Sequence, residues 1–339
     1  MFGRRSNLVV LVITLVIVIL VMSVFLPDKF LTLINFQSMT SQFPEFGLLA
    51  IGMMLAMISG GIDLSVVSIT NFTGVLTAIV LKSYTGEAGT GVSTVIFLAI
   101  MTALAVSALC GMVNGTLISQ VGVPPILATL GTQGLFLGLA IVITEGHGIH
   151  TFPTKFLFIG SGTIGALPMP LIIFIACILL VSLLLKKTTL GLNMYMVGSN
   201  PVAARFSGID NNRVLLKTYM IIGLLAGVSS LIMISRVNSI RPGYGYAYLL
   251  QAILVPVLGG TNPYGGSGSV LGVVIAIILL QLLQSGFNIL AFSPFFRKFI
   301  WGMMLVLIMV INYVIQYYQK RGKKIKPQEV QTADEAGSK

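Results

Sequence analysis

Apolar runs long enough to enter or cross a lipid bilayer follow one another along nearly the whole chain, and few folds accommodate that recurrence. A helix needs about 20 apolar residues to cover a hydrocarbon core of roughly 30 Å at 1.5 Å per residue. Residues 8–26 meet this requirement with only Thr14 and Ser23 polar. Further runs lie at 46–58, 64–81, 92–118, 125–144, 169–185, 214–235, 247–258, 269–286 and 298–318, which makes ten segments. Only 9% of the 339 residues are charged and 56% are hydrophobic. Soluble domains carry about 25% charged residues, so this chain could not clothe a water-facing surface. The expectation is an all-α polytopic membrane protein. One transmembrane domain would cover residues 1–320, with a polar, disordered cytoplasmic tail over 321–339.

The run at 8–26 follows Arg4 and Arg5, as the apolar core of a secretory signal would. It is long for such a core, and no A-x-A site follows, so an uncleaved first span is expected. With the N-terminus inside, eight full spans and two short ones alternate and return the C-terminus to the cytoplasm. That orientation places 13 of the 20 Lys and Arg on the cytoplasmic side. They cluster at Arg4 and Arg5, from Lys186 to Lys217, and at Lys320, Arg321, Lys323, Lys324 and Lys326. Such a bias is the positive-inside signature. The net charge of +11 therefore reads as topology and not as a nucleic-acid surface, since no basic stripe with interleaved aromatics exists. Cys110 and Cys177 lie inside apolar runs without a CxxC partner, as buried thiols.

Two segments are too short to span alone: 46–58 has thirteen residues and 247–258 has twelve. Each runs into a glycine pair, Gly60-Gly61 and Gly259-Gly260, and then into turn-forming residues and another apolar run. Glycine permits positive φ and close backbone approach, so each pair can end a helix at membrane depth. Asp63 or Ser65 could cap the helix after the first break, and Ser267 the helix after the second. Matched Gly-interrupted segments in two halves point to a transport pathway; the alternative is two unrelated cytoplasmic turns. Three GxxxG pairs, Gly111/Gly115, Gly134/Gly138 and Gly223/Gly227, place small residues where helix backbones can approach.

An ion-coupled pump needs ionisable groups within the membrane. Asp63 is the one acid expected near an apolar segment, while Glu45, Glu87 and Glu145 are expected in outer loops. His147 and His150 share an outer loop and could bind a metal, though surface histidines are the simpler account. Neutral polar residues are more plentiful: Asn71, Thr73, Asn114, Thr129, Thr132, Gln133, Asn238 and Gln251. Of these, Asn71, Asn114, Gln133 and Asn238 are the candidates for a solute path, because amides can exchange hydrogen bonds with an uncharged polyhydroxylated solute. The alternative is that these residues join helix to helix. No HExxH, no GxSxG with a histidine partner and no GxxxxGK[ST] occurs, so neither hydrolytic chemistry nor a phosphate-cradling loop is expected.

The longest inner loop, 186–213, carries the sharpest local signal. Asn200 can cap a short helix that begins with Pro201, and Gly208 can stop it. Val202 and Phe206 would share one face, suited to a groove on another protein or to the membrane surface.

Gly60-Gly-Ile-Asp-Leu-Ser65, Val123-Pro-Pro125 with Thr129-Leu-Gly-Thr132, Gly198-Ser-Asn-Pro-Val-Ala-Ala-Arg-Phe-Ser-Gly-Ile209 and Leu258-Gly-Gly-Thr261 resemble the ribose/galactose-type permeases of bacterial ABC importers. The resemblance runs from about residue 40 to 315 in the same order. Val67 stands where that family commonly has glycine, and Asn262-Pro263-Tyr264 where small or hydroxyl residues are more usual. The resemblance implies a sugar permease of the bacterial cytoplasmic membrane, without a nucleotide site or cofactor of its own. ATP and magnesium would be held by partner ABC ATPase subunits. A periplasmic or lipid-anchored binding protein would deliver the solute, and a second permease chain, identical or sister, would complete the pore. It further implies that Asn200, Ala203, Ala204, Arg205, Ser207 and Gly208 couple the permease to the ATPase. A self-sufficient secondary transporter or channel is the alternative from another class.

Overall fold

The computed structural model describes residues 2–83 and 91–323. In chain order its elements are α1 (Phe2–Phe25), α2 (Pro27–Phe30), α3 (Leu33–Ile58), α4 (Val66–Lys82), α5 (Val92–Ser119), α6 (Pro125–Thr144), β1 (Ile149–His150), α7 (Thr154–Ser161), β2 (Thr163–Ile164), β3 (Leu167–Pro168), α8 (Met169–Lys187), α9 (Thr189–Ser199), α10 (Pro201–Phe206), α11 (Asn211–Val237), β4 (Ser239–Ile240), α12 (Tyr248–Leu258), α13 (Val270–Ile289) and α14 (Pro294–Lys323). Seven helices, α1, α3, α5, α6, α8, α11 and α13, are long and apolar enough to cross a bilayer, and α4 and α12 are shorter apolar helices. The strands are two-residue antiparallel pairs, β1 with β4 and β2 with β3. The fold is thus helical, as the recurring apolar runs require.

α3 is the buried axis: 89% of its most apolar stretch lies inside the protein, against 6% for α1. This corrects the first of the two short segments. Residues 46–58 are the C-terminal half of a 26-residue helix, which starts at a Thr32 cap whose Oγ1 accepts from the Asn35 N–H at 3.2 Å. The helix runs through Pro44 and Glu45 without stopping. Glu45 also leaves the outer loop to which the sequence assigned it, being 1% exposed in mid-helix. It is tolerable there because a cation faces it: Arg236 Nη2 lies 2.7 Å from its Oε1 and Arg236 Nε 3.2 Å from its Oε2. α12 remains a short helix of 11 residues.

Two of the three GxxxG pairs face each other. α5 and α11 pack so closely that a Cβ at Gly111 would fall on the Tyr219 carbonyl oxygen, and one at Gly223 on that of Ser107. Gly115 meets Leu216 Cα, which would lie 2.9 Å from an added Cβ. The third pair behaves differently. Apart from each glycine's chain neighbours and the nearby backbone of α6 itself, no described atom lies within 4 Å of where a Cβ would stand at Gly131, Gly134 or Gly138, so this stripe of α6 faces outward.

α14 continues to Lys323, three residues into the expected tail, because Lys320 and Arg321 are good helix formers and only Gly322 weakens the turn. Residues 324–339 and Glu87 lie outside the described residues.

Candidate functional site

The inner loop folds as its residues dictate. Asn200 Oδ1 accepts from the Val202 and Ala203 N–H groups, both at 3.0 Å, and Pro201 occupies the first turn of α10. At the other end the Ile209 N–H reaches the Ala204 carbonyl at 3.1 Å and the Gly208 N–H that of Arg205 at 3.0 Å. That closure requires a left-handed residue, and Gly208 supplies it with φ +80°. Asn211 Nδ2 donates to the Pro201 carbonyl at 2.8 Å and fastens α10 to the start of α11. Ala204 turns inward and is buried; Ala203, Arg205 and Ser207 are exposed, and Ser207 Oγ bonds back to the Ala203 carbonyl. Val202 and Phe206 stand out at 62% and 90% exposure as an exposed apolar face.

Directly before this helix, three segments distant in sequence meet backbone to backbone. The Gly266 N–H donates to the Ile58 carbonyl at 3.0 Å, joining the turn after α12 to the end of α3. Gly198, at the end of α9, lies between them: a Cβ there would fall on the Ile58 carbonyl oxygen and stand 2.8 Å from Gly266 N. A Cβ at Gly265 would fall on the Gly198 carbonyl oxygen and lie 3.0 Å from Gly60 Cα. Gly60, Gly265 and Gly266 all hold positive φ, at 88°, 100° and 75°. Both glycine turns and the root of α10 are therefore one junction. Gly198, Gly265 and Gly266 were missed as site residues; their signal was glycine at the start of the loop motif and a second pair within the second turn. Of the expected residues, Gly60 is in the junction itself. Gly61 packs against Pro125 and the Tyr219 hydroxyl, Gly259 against the backbone of Gly272 and Val273, and Gly260 turns with φ +81°. Ser267 does not cap α13; Ser269 holds that position, without a side-chain bond, because the turn runs two residues longer.

The first break is held by a buried polar cluster. Asp63 Oδ1 accepts from Ser65 N–H at 2.9 Å and Ser65 Oγ at 2.6 Å, and Asn114 Nδ2 donates to Ser65 Oγ at 2.7 Å. Thr132 Oγ1 donates to Asn114 Oδ1 at 2.7 Å, and the Leu64 N–H reaches Thr129 Oγ1 at 3.1 Å. Helices α4, α5 and α6 are thereby tied at one point. Among the described residues only Arg213 with Asp210 and Arg236 with Glu45 form ion pairs, so Asp63 has no cation: Ser65 holds its Oδ1, and its buried Oδ2 has no hydrogen-bond partner.

Within two helical turns of that cluster, Asn71 and Gln133 bond the loop 241–247. Asn71 Nδ2 donates to the Arg241 and Tyr244 carbonyls at 2.9 and 3.3 Å, and its Oδ1 accepts from Gly243 N–H at 3.2 Å. Gln133 Nε2 bonds the Tyr246 hydroxyl at 2.5 Å, beside the open glycine stripe of α6. Asn238 ends α11 with φ 54°; its carbonyl accepts from Thr151 N–H and its Oδ1 from Phe152 N–H at 2.8 Å. Glu45 also accepts the Tyr248 hydroxyl, so its carboxylate binds α3, α11 and α12 together. His150 lies in β1, and among the described residues no group of three or more His, Cys, Asp or Glu could hold a metal ion.

Six helices long and apolar enough to span a bilayer, packed with a seventh, α3, as their buried axis, and two glycine turns that meet, make a multi-pass membrane protein. The model of a family described as the permease component of branched-chain amino acid transport systems matches residues 35–309, and the chain belongs to that family. It is similar to the autoinducer 2 import system permease protein LsrD of Yersinia enterocolitica, 35% identical over 277 residues that cover 80% of this chain and 81% of the relative. The proteins of that name from Yersinia pestis and Yersinia pseudotuberculosis are 35% and 34% identical, each over 80% of both chains. No solved structure matches the chain.

Proposed function

We propose that this chain is the membrane-spanning subunit of an ATP-driven importer for a small sugar-like solute, with no chemistry of its own. In this reading ABC ATPase subunits, holding ATP and magnesium, dock on the exposed Val202/Phe206 face of α10. The bundle consists of ten membrane segments with both termini in the cytoplasm, and a binding protein delivers solute to the far side. The observation that carries the reading is the glycine junction. α10 is rooted through Ser199 on Gly198, and Gly198 touches the ends of both α3 and the turn after α12. A push on α10 is thus delivered at once to both broken segments, with no side chain between to absorb it.

Asn200, Ala203, Ala204, Arg205, Ser207 and Gly208 form the coupling element, with Ala204 seating it and Gly208 closing it. Gln133 with Tyr246 supplies the polar wall of the solute path; Asn71 and Asn238 shape the loops beside it, and Asn114 holds the first break. A second permease chain covers the open stripe of α6. The relatives' names support a sugar-like signal as solute, and uncharged amide and hydroxyl groups suit such a molecule.

The test is transport by the purified chain in proteoliposomes. Solute accumulation that requires the ATPase subunits and ATP is expected. Accumulation by the chain alone, without ATP, would make it a secondary transporter or channel.

A further inference from the structure

A groove of about 990 Å³ runs down the outside of the bundle between α8 and α13, reaching the foot of α9. Away from the helix ends its walls are apolar, lined by Leu179 of α8 and Val274 of α13. Its mouth is cationic and hydroxylic: Lys186, Lys187, Thr188 and Ser269 surround it. Both lysines are exposed, and neither pairs with an acid among the described residues. We infer that this groove binds an anionic phospholipid, its phosphate at Lys186 and Lys187 and an acyl chain along Leu179 and Val274. Charge and depth together select this occupant. The walls belong to two membrane-crossing helices, so a soluble partner cannot reach them, whereas a lipid tail is already there. Adjacent unpaired lysines at the end of a span suit an anionic headgroup, and basic pockets between membrane helices bind such lipids. Gly266 contributes to the lining, so a bound lipid would lean directly on the glycine junction.

The inference is independent of the ATPase. It is tested by native mass spectrometry of the full chain released from micelles carrying phosphatidylglycerol, phosphatidylcholine of the same acyl length, or inorganic phosphate. Retained phosphatidylglycerol is expected to exceed phosphatidylcholine by about 10- to 30-fold, the factor two lysines near a headgroup provide. The double variant Lys186→Gln/Lys187→Gln should remove that preference. Leu179→Trp, at a wall position that is already exposed, should expel the lipid with both lysines intact. Both variants alter exposed side chains, and a monodisperse elution profile checks their fold. Equal retention of the two lipids, retention unchanged in either variant, or inorganic phosphate displacing the lipid completely would overturn it, the last result marking a soluble-anion site.

Discussion

The Glu45 carboxylate is held by the Arg236 guanidinium and the Tyr248 hydroxyl, which bring in two other helices. A carboxylate this deep is stable only while its partner remains, and removing one member of such a pair costs about 3 kcal/mol or more. Glu45→Gln should therefore lower the thermal stability of the purified protein sharply, and Glu45→Gln/Arg236→Met should recover much of the loss. Equal losses in the two would show that the pair does not hold the helices together. This pairing could not be read in the sequence, because its members stand 191 residues apart and Glu45 ends a polar stretch that reads as a loop before the apolar run. Asn200 and Gly208 were legible, since a cap and a left-handed stop are decided within a few residues. Gly208→Val forces a β-branched residue to φ +80° and should abolish uptake while the protein still inserts in the membrane. Normal uptake by this variant would count against α10 as the coupling element.

α10 has six residues and stands by its cap as much as by its seat on Ala204. Asn200→Ala should cost about 1 kcal/mol of local helix stability and reduce uptake several-fold, whereas Asn200→Ser should retain most of it. Uptake rates of the two variants at equal expression decide this; indistinguishable rates would contradict the capping role. The GxxxG helices show where spacing stops being informative. Gly111/Gly115 and Gly223/Gly227 are consumed within the chain by the α5–α11 contact, while the same spacing in α6 faces outward. The motif states only that a backbone can come close, and the arrangement of neighbours decides whether one does. If a second chain covers α6, Gly134→Leu should reduce chain-to-chain crosslinking in membranes and leave the monomer folded. Unchanged crosslinking would place the partner on another face.

For the molecule as a whole, the apolar periodicity fixes a helical bundle, and the two glycine pairs mark where it breaks. Neither reveals that the breaks meet, since Ile58, Gly198 and Gly266 come together only when α3, α9 and α12 are placed. The first break also differs in kind from a short segment's end: it ends a full-length buried helix, because the polar residues before Glu45 continue α3 instead of forming a loop. The central claim is that force on α10 reaches both breaks through Gly198. The most direct measurement is solute imported per ATP hydrolysed by the complete transporter in proteoliposomes, comparing the native chain with Gly198→Ala. The added methyl would fall on the Ile58 carbonyl and must part the junction, so hydrolysis should persist while import per ATP falls at least tenfold. An unchanged ratio in a correctly inserted variant would show that the junction does not transmit the stroke.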